Sequence, residues 1–506
     1  MFTLPVVVIA TAFAVFLVLR LWPIWPSRWQ GCDAFYILLS AEFLRAQRRL
    51  PIRIPRLYML EGEEQAYPPG FLILCALLPA QWLKRYYWLL NHILDLGSAA
   101  ALGAAALLTG AHWATAAAAI MLYALTAANI SEFMTLNTRP LGLLMINIFL
   151  LSAYLGIDSS SWQAVCITLG VVLVFCHKLS MQMLWATMPI LSTVTGDWYW
   201  VALLLASYGI AFIIWPRGTW RIVYGHWVIV RFWFRNWPLL GAHAVRQSPI
   251  YGDAQTHEHY YADASANAAL RFTKDAFHHN YFVIPSVVIV ATSTGSDFNF
   301  SLFLASWIAS AYILGFAVHF IHWLRAIGLG RQYFKFAVLP SLLLTGIHIG
   351  PDTPVITWAA IACALVLTVR QYLLLAMASR RHPINTANDP DLCAAIAMLR
   401  RDKDARIMAL PVQLGDLIAY RTRRPVYWGT HSDVFDERLE DFFPVLRKPL
   451  HYYVEDGVNR LLLDTHYATA QILNLDESTI LFRGNRYQVH QLPSANHTQH
   501  AGDNTG

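Results

Sequence analysis

In a chain of 506 residues, 57% are apolar and only 13% charged. An ordinary soluble domain carries roughly 25% charged residues, so most of this chain is excluded from being water-soluble. The net charge of +6 is small and dispersed, with no compact basic stripe interleaved with aromatics. That excludes nucleic acid as a partner and points to anionic lipid headgroups or phosphates.

A bilayer core of about 30 Å needs roughly 20 mostly apolar residues per spanning helix, and such stretches recur from Thr3 to Met377. The first, residues 3–22, has no basic segment before it and no small-residue cleavage site, so it reads as a retained helix and not a signal peptide. A polar insertion follows from Pro23 to Pro69, containing an amphipathic run from Ala34 to Leu50. The insertion extends through residue 87 when the short apolar run Phe71 to Leu83 is placed in the interface.

Further spans are expected over 88–108, 112–128, 139–156, 162–176, 179–194 and 198–215. The two blocks meeting at His177 and Lys178 read equally as one broken helix. A second insertion, Pro216 to Asn280, is rich in aromatic, basic and histidine residues and has an amphipathic run from Trp220 to Trp237. Segments of that composition settle at the headgroup level, which makes both insertions candidate walls of an active site. The spans then resume over 281–294, 299–320, 334–348 and 354–377. The expected fold is a polytopic α-helical membrane protein of about 11 spans occupying residues 1–380.

Beyond Arg380 the composition becomes that of a soluble domain, residues 381–492. Helices are expected over 391–402, Gln413 to Tyr420 and Asp436 to Phe443, and strands over Arg406 to Leu410, Pro425 to Trp428 and Leu461 to Asp464. Thr479 to Gln491 reads as a hairpin turning at Gly484 and Asn485, so the domain is a small α/β unit. Residues 493–506 read as a disordered tail. The six cysteines, Cys32, Cys75, Cys166, Cys176, Cys363 and Cys393, match neither zinc nor disulfide spacing and read as small core residues.

The segment Gly31, Cys32, Asp33, Ala34, Phe35 places a carboxylate just after the first span, and Tyr67, Pro68, Pro69, Gly70 closes the same insertion. In that order these elements resemble the GT-C superfamily of membrane glycosyltransferases, which includes protein O-mannosyltransferases, dolichol-dependent transferases and aminoarabinose transferases. The resemblance covers residues 1 to about 350 in layout. It implies sugar transfer from a polyprenyl-phosphate-linked donor, with Asp33 as catalytic base or as the group that orients the acceptor. The chemistry is coherent by itself, since a nucleophile attacking an anomeric carbon must lose a proton and a carboxylate can take it. The plainer reading of Asp33 is a capping or solvated residue at a membrane boundary.

Lys178, beside His177 in an otherwise apolar stretch, is costly to bury and is a candidate for holding the donor phosphate. Its plainer reading is a side chain snorkelling to headgroups. Arg331 and Tyr333, in Gly328 to Tyr333, partly match a charged element of the family, and an arginine there grips phosphate bidentately. Alternatively, Arg331 and Lys335 are boundary anchors. Tyr67, Glu132 and Arg139 are substrate-binding candidates by the same layout. Asp95, within a span, reads as a helix-packing group.

No cofactor is required by the sequence, but a divalent metal is possible at His257, Glu258, His259 or at His278, His279, whose spacing specifies no known zinc site. The expected partners are membrane lipids and the lipid-linked donor; protein partners are not legible. An odd number of spans puts both insertions and the soluble domain on one side, the periplasm by resemblance. The positive-inside rule opposes this, because Arg45, Arg48, Arg49, Arg53 and Arg56 then lie outside the inner membrane. The alternatives are a lipid or polysaccharide transporter, for which no paired repeat is visible, and an oligosaccharide polymerase or ligase of the same donor class.

Overall fold

A computed structural model describes residues 3–54, 56–60, 67–238, 266–292, 298–429 and 437–493. In an apolar solvent the backbone must satisfy its own hydrogen bonds, and the long apolar runs do so as helices. Helix α1 (Leu4–Ile24) is followed by α2 (Cys32–Gln47), α3 (Gly70–Leu77), α4 (Ala80–Leu108), α5 (Trp113–Leu125), α6 (Ala127–Phe133) and α7 (Arg139–Leu155). Next come α8 (Ser160–Val174), α9 (Lys178–Thr195), α10 (Tyr199–Ile214), α11 (Pro216–Asn236), α12 (Ala266–His279), α13 (Val283–Thr292) and α14 (Phe298–Phe320). Helices α15 (Val338–Ile347) and α16 (Val355–Arg381) complete the bundle.

Four stretches among the described residues, Leu4–Ser27, Ala80–Leu108, Asn299–Phe320 and Val355–Arg401, are long and apolar enough to cross a membrane. Shorter apolar helices are α5, α7, α8, α10 and α13. In the bundle α1 lies on α5 and α16, α4 on α5 and α7, and α14 on α9 and α15.

Three expected boundaries shift. The run Phe71 to Leu83 divides at the extended Leu78, giving the short α3 and the first turn of a longer α4. The block expected over 334–348 begins as a 3-10 segment, Gly330–Ala337, and becomes α-helical only at Val338. The α8 and α9 blocks are separate helices, because His177 is extended and the Gly70 N–H donates to the Phe175 carbonyl (2.6 Å) in the break. The Tyr67 to Gly70 element is thereby docked beside Lys178.

The C-terminal residues form α17 (Pro390–Arg401), β1 (Ile407–Leu410), α18 (Gly415–Thr422), α19 (Glu437–Phe442), α20 (Leu450–Glu455), β2 (Arg460–Asp464), β3 (Ile480–Arg483) and β4 (Tyr487–Gln491). Asp389 caps α17 by accepting from the Asp391 and Leu392 N–H groups, with Pro390 at the first turn. The sheet order is β1-β2-β4-β3, with β1 parallel to β2 and the other pairs antiparallel.

The strand expected at Pro425 to Trp428 reduces to bridges from Val426 to Ile407 and Tyr58. It is hydrogen-bonded on both sides: the Ile407 N–H of β1 donates to Pro425 and the Tyr427 N–H to Ile407, while the Val426 N–H donates to Leu57 of the first insertion and the Met59 N–H to Val426. Helix α20 has no counterpart in the sequence reading.

Both insertions touch this domain. Helix α2 packs on α18, while on α11 Phe232 stacks on Phe443 and Arg235 pairs with Glu440 at 2.5 Å. The two insertions and the C-terminal unit therefore meet at one end of the bundle. Residues 494–506, within the expected tail, and the candidate ligands His257, Glu258 and His259 lie outside the described residues.

Candidate active site

Helix α2 starts after Gly31, whose φ of +106° suits only glycine without strain, and a Cβ there would meet the Thr135 Cβ at 2.7 Å. This contact seats the first turn of α2, and with it Asp33, against the loop between α6 and α7. Asp33 also lies where the helix dipole favours a carboxylate. With Tyr36, Ile37, Tyr67, Leu72, Asn137, Thr138 and Arg139 it lines one pocket.

Arg139 opens α7, with Pro140 setting the first turn. Its N–H donates to Asn137 Oδ1 (2.9 Å), and the Asn137 amide donates to the Glu132 carbonyl (2.8 Å). Glu132, on the short α6, takes Arg139 Nη1 at 2.8 Å and Lys335 Nζ at 3.1 Å on the same Oε2. Burial would raise the Glu132 carboxyl, but the Arg139 and Lys335 charges outweigh it and hold the group well below the usual carboxylate range.

The Tyr67 hydroxyl and Thr138 Oγ1 are 2.9 Å apart, and Lys178 Nζ sits 5.1 Å from the Tyr67 ring centroid. His177 is buried, with Nδ1 3.2 Å from Ser180 Oγ. It fits there because α7 presents Gly142, where a Cβ would come within 2.6 Å of the His177 side chain. A second, smaller pocket shares Tyr67 and is lined by Trp215, just before α11, and by Gly218 and Arg221 of α11.

Of the residues singled out in the sequence, the fold thus gathers Asp33, Tyr67, Glu132, Arg139, His177 and Lys178 at one end of the bundle. Arg331 is exposed at the start of the 3-10 segment, whereas Tyr333 is buried and donates its hydroxyl to Gln182 Oε1 (2.7 Å). Gln182 in turn meets His226 of α11 at 2.9 Å, so Tyr333 braces the segment against α9 and α11. Lys335, read beforehand as a boundary anchor, is the cation that enters the cluster. A charge at the head of an apolar block was the available signal for it. Asn137 and Thr138 carried no such signal.

Among the described residues no group of three or more His, Cys, Asp and Glu side chains converges on a metal-sized site. The donor set at the pocket also does not suit a divalent ion, since Glu132 is already neutralised by two cations and Asp33 is the remaining carboxylate on the wall. His279 faces the Asp275 carbonyl (2.8 Å) on its own helix, away from any second carboxylate ligand in the described contacts.

No protein-family model matches the sequence, and no curated protein sequence matches it. The fold does match solved structures. One is the oligosaccharyltransferase AglB from Archaeoglobus fulgidus in complex with an inhibitory peptide and a dolichol-phosphate. It has a TM-score of 0.58 and 12% identity, covering 91% of this chain and 69% of that one. A second AglB structure, complexed with zinc and sulfate, has a TM-score of 0.59 and 11% identity, covering 94% and 71%. ArnT from Cupriavidus metallidurans bound to undecaprenyl phosphate has a TM-score of 0.55 and 12% identity, covering 95% and 97%. The chain therefore shares the overall fold of AglB and ArnT.

Proposed function

We propose that this protein transfers a single hexosyl or pentosyl unit from a polyprenyl-phosphate-linked donor to a lipid, glycan or protein acceptor. In this reading it crosses the inner membrane about 11 times, with the site and the C-terminal domain on the periplasmic face. The observation that carries the proposal is that Asp33 and Arg139 line one pocket, with Arg139 held by Glu132, which also takes Lys335, and with Lys178 over the ring of Tyr67. The polyprenyl phosphates held by AglB and ArnT in their solved structures support the donor class.

In the reaction the acceptor nucleophile gives its proton to the Asp33 carboxylate and bonds to the anomeric carbon. The bond from that carbon to the phosphate oxygen breaks, and its electron pair leaves with the lipid phosphate. Arg139, Lys335 and Lys178 stabilise the charge that grows there, in a water-poor site where such cations act strongly. Glu132 holds two of them in place. Tyr67 lines both pockets, and His177 and the exposed Arg331 are assigned to the donor phosphate by resemblance alone.

The test is release of polyprenyl phosphate by the purified protein in lipid nanodiscs supplied with polyprenyl-phosphate sugar and a membrane lipid extract. Asp33→Asn is expected to abolish release while the variant still inserts, folds and binds polyprenyl phosphate. Full release by that variant would overturn the assignment.

A further inference from the structure

Inside the bundle, below the site, Arg20 of α1 and Asp95 of α4 form an ion pair at 2.8 Å with side chains 1% and 0% exposed. Burying two charges in this way carries a desolvation penalty that close pairing only partly offsets. The remaining guanidinium donors show where the pair acts. Arg20 Nη2 donates to the Tyr123 carbonyl (2.9 Å) and Nη1 to the Thr126 carbonyl (3.1 Å). Those carbonyls end α5, where the extended Thr126 (φ −68°, ψ 123°) breaks the chain before α6.

Asn91 lies on the same face of α4 as Asp95, four residues earlier, and is fully buried. Its amide donates to the Thr135 carbonyl, just beyond the other end of α6. Thr135 is also the residue against which Gly31 seats the first turn of α2. Asp95 through Arg20 of α1, and Asn91 directly, therefore hold the chain on both sides of α6; the segment between carries Glu132, and the Asn91 end also abuts the turn carrying Asp33.

We infer that Arg20, Asp95 and Asn91 are positioning residues that fix the α6 segment so that Glu132 presents Arg139 and Lys335 toward the Asp33 pocket. The inference deepens the transfer reaction proposed above and rests on it for its catalytic consequence. Its structural content stands independently: α6 is too short to hold itself, since an isolated helix of its length is far below the marginal limit, and these contacts supply its order.

The test compares wild type with Arg20→Met/Asp95→Leu and with Asn91→Ala, all full-length in lipid nanodiscs. Replacing both members of a buried ion pair by apolar side chains often leaves global stability intact, so the double variant is expected to keep its thermal midpoint. Amide hydrogen exchange in residues 127–137 should rise at least tenfold in both variants (~10-fold or more), with the exchange of α7 and α14 unchanged. Turnover of polyprenyl-phosphate sugar should fall at least tenfold in kcat (~10-fold or more).

Unchanged exchange over 127–137 in either folded variant overturns the inference, as does full kcat in a variant whose segment has loosened. If the double variant fails to fold, Asn91→Ala decides alone. A wild-type protein that transfers no sugar refutes the proposed function only, because exchange is read without substrate.

Discussion

Two carboxylates in this molecule each bind cations away from water, and they are built to opposite specifications. Asp95 meets one cation, Arg20, in a sealed setting where leftover donors go to backbone carbonyls. Glu132 meets two cations, and one of them, Arg139, is 33% exposed and lines a pocket with Asp33. The first cluster is charge-balanced and closed, which suits holding helices together. The second keeps an excess of positive charge open to a cavity, which suits an arriving phosphate.

That contrast can be broken in order of expected effect. Asp33→Asn should lower the rate of sugar transfer by about a hundred- to ten-thousand-fold, the range for losing a positioned base, with no shift in thermal midpoint. Lys335→Met should cost roughly a hundredfold in kcat, as loss of one preorganised charge does; a pure anchor at that position would cost stability and leave kcat alone.

In the sealed cluster the order reverses. Asp95→Leu alone strands Arg20 and should destabilise the fold by about 3–5 kcal/mol, read by thermal or denaturant unfolding, while the paired Arg20→Met/Asp95→Leu change restores most of that loss. A single and a double variant of equal stability would remove the distinction between the two clusters.

Arg331→Ala should have the smallest effect, roughly twofold to threefold on KM for the donor, because an exposed charge is screened by salt.

Much of this was readable beforehand, for identifiable reasons. Spans and the soluble domain follow from runs of apolar residues and from strand alternation, both local properties. Lys178 stands out as a charge inside an apolar stretch, whereas Asp33 and Tyr67 are singled out by the order of elements that resembles the GT-C layout. The grouping of Glu132, Arg139 and Lys335 depends on contacts between residues 203 positions apart, and no local pattern encodes those. Asp95 read as a packing group; its partner lies on another helix, Arg20, and could not be named from the sequence. The bridge at Val426 likewise needs Leu57 and Tyr58 from the first insertion.

The account turns on where a lipid phosphate settles, and a structure with bound polyprenyl phosphate measures that directly. The phosphate is expected within hydrogen-bond reach of Arg139 or Lys178, with Asp33 facing it across the pocket. A phosphate bound elsewhere on the bundle, with the Asp33 pocket closed to it, would contradict the assignment.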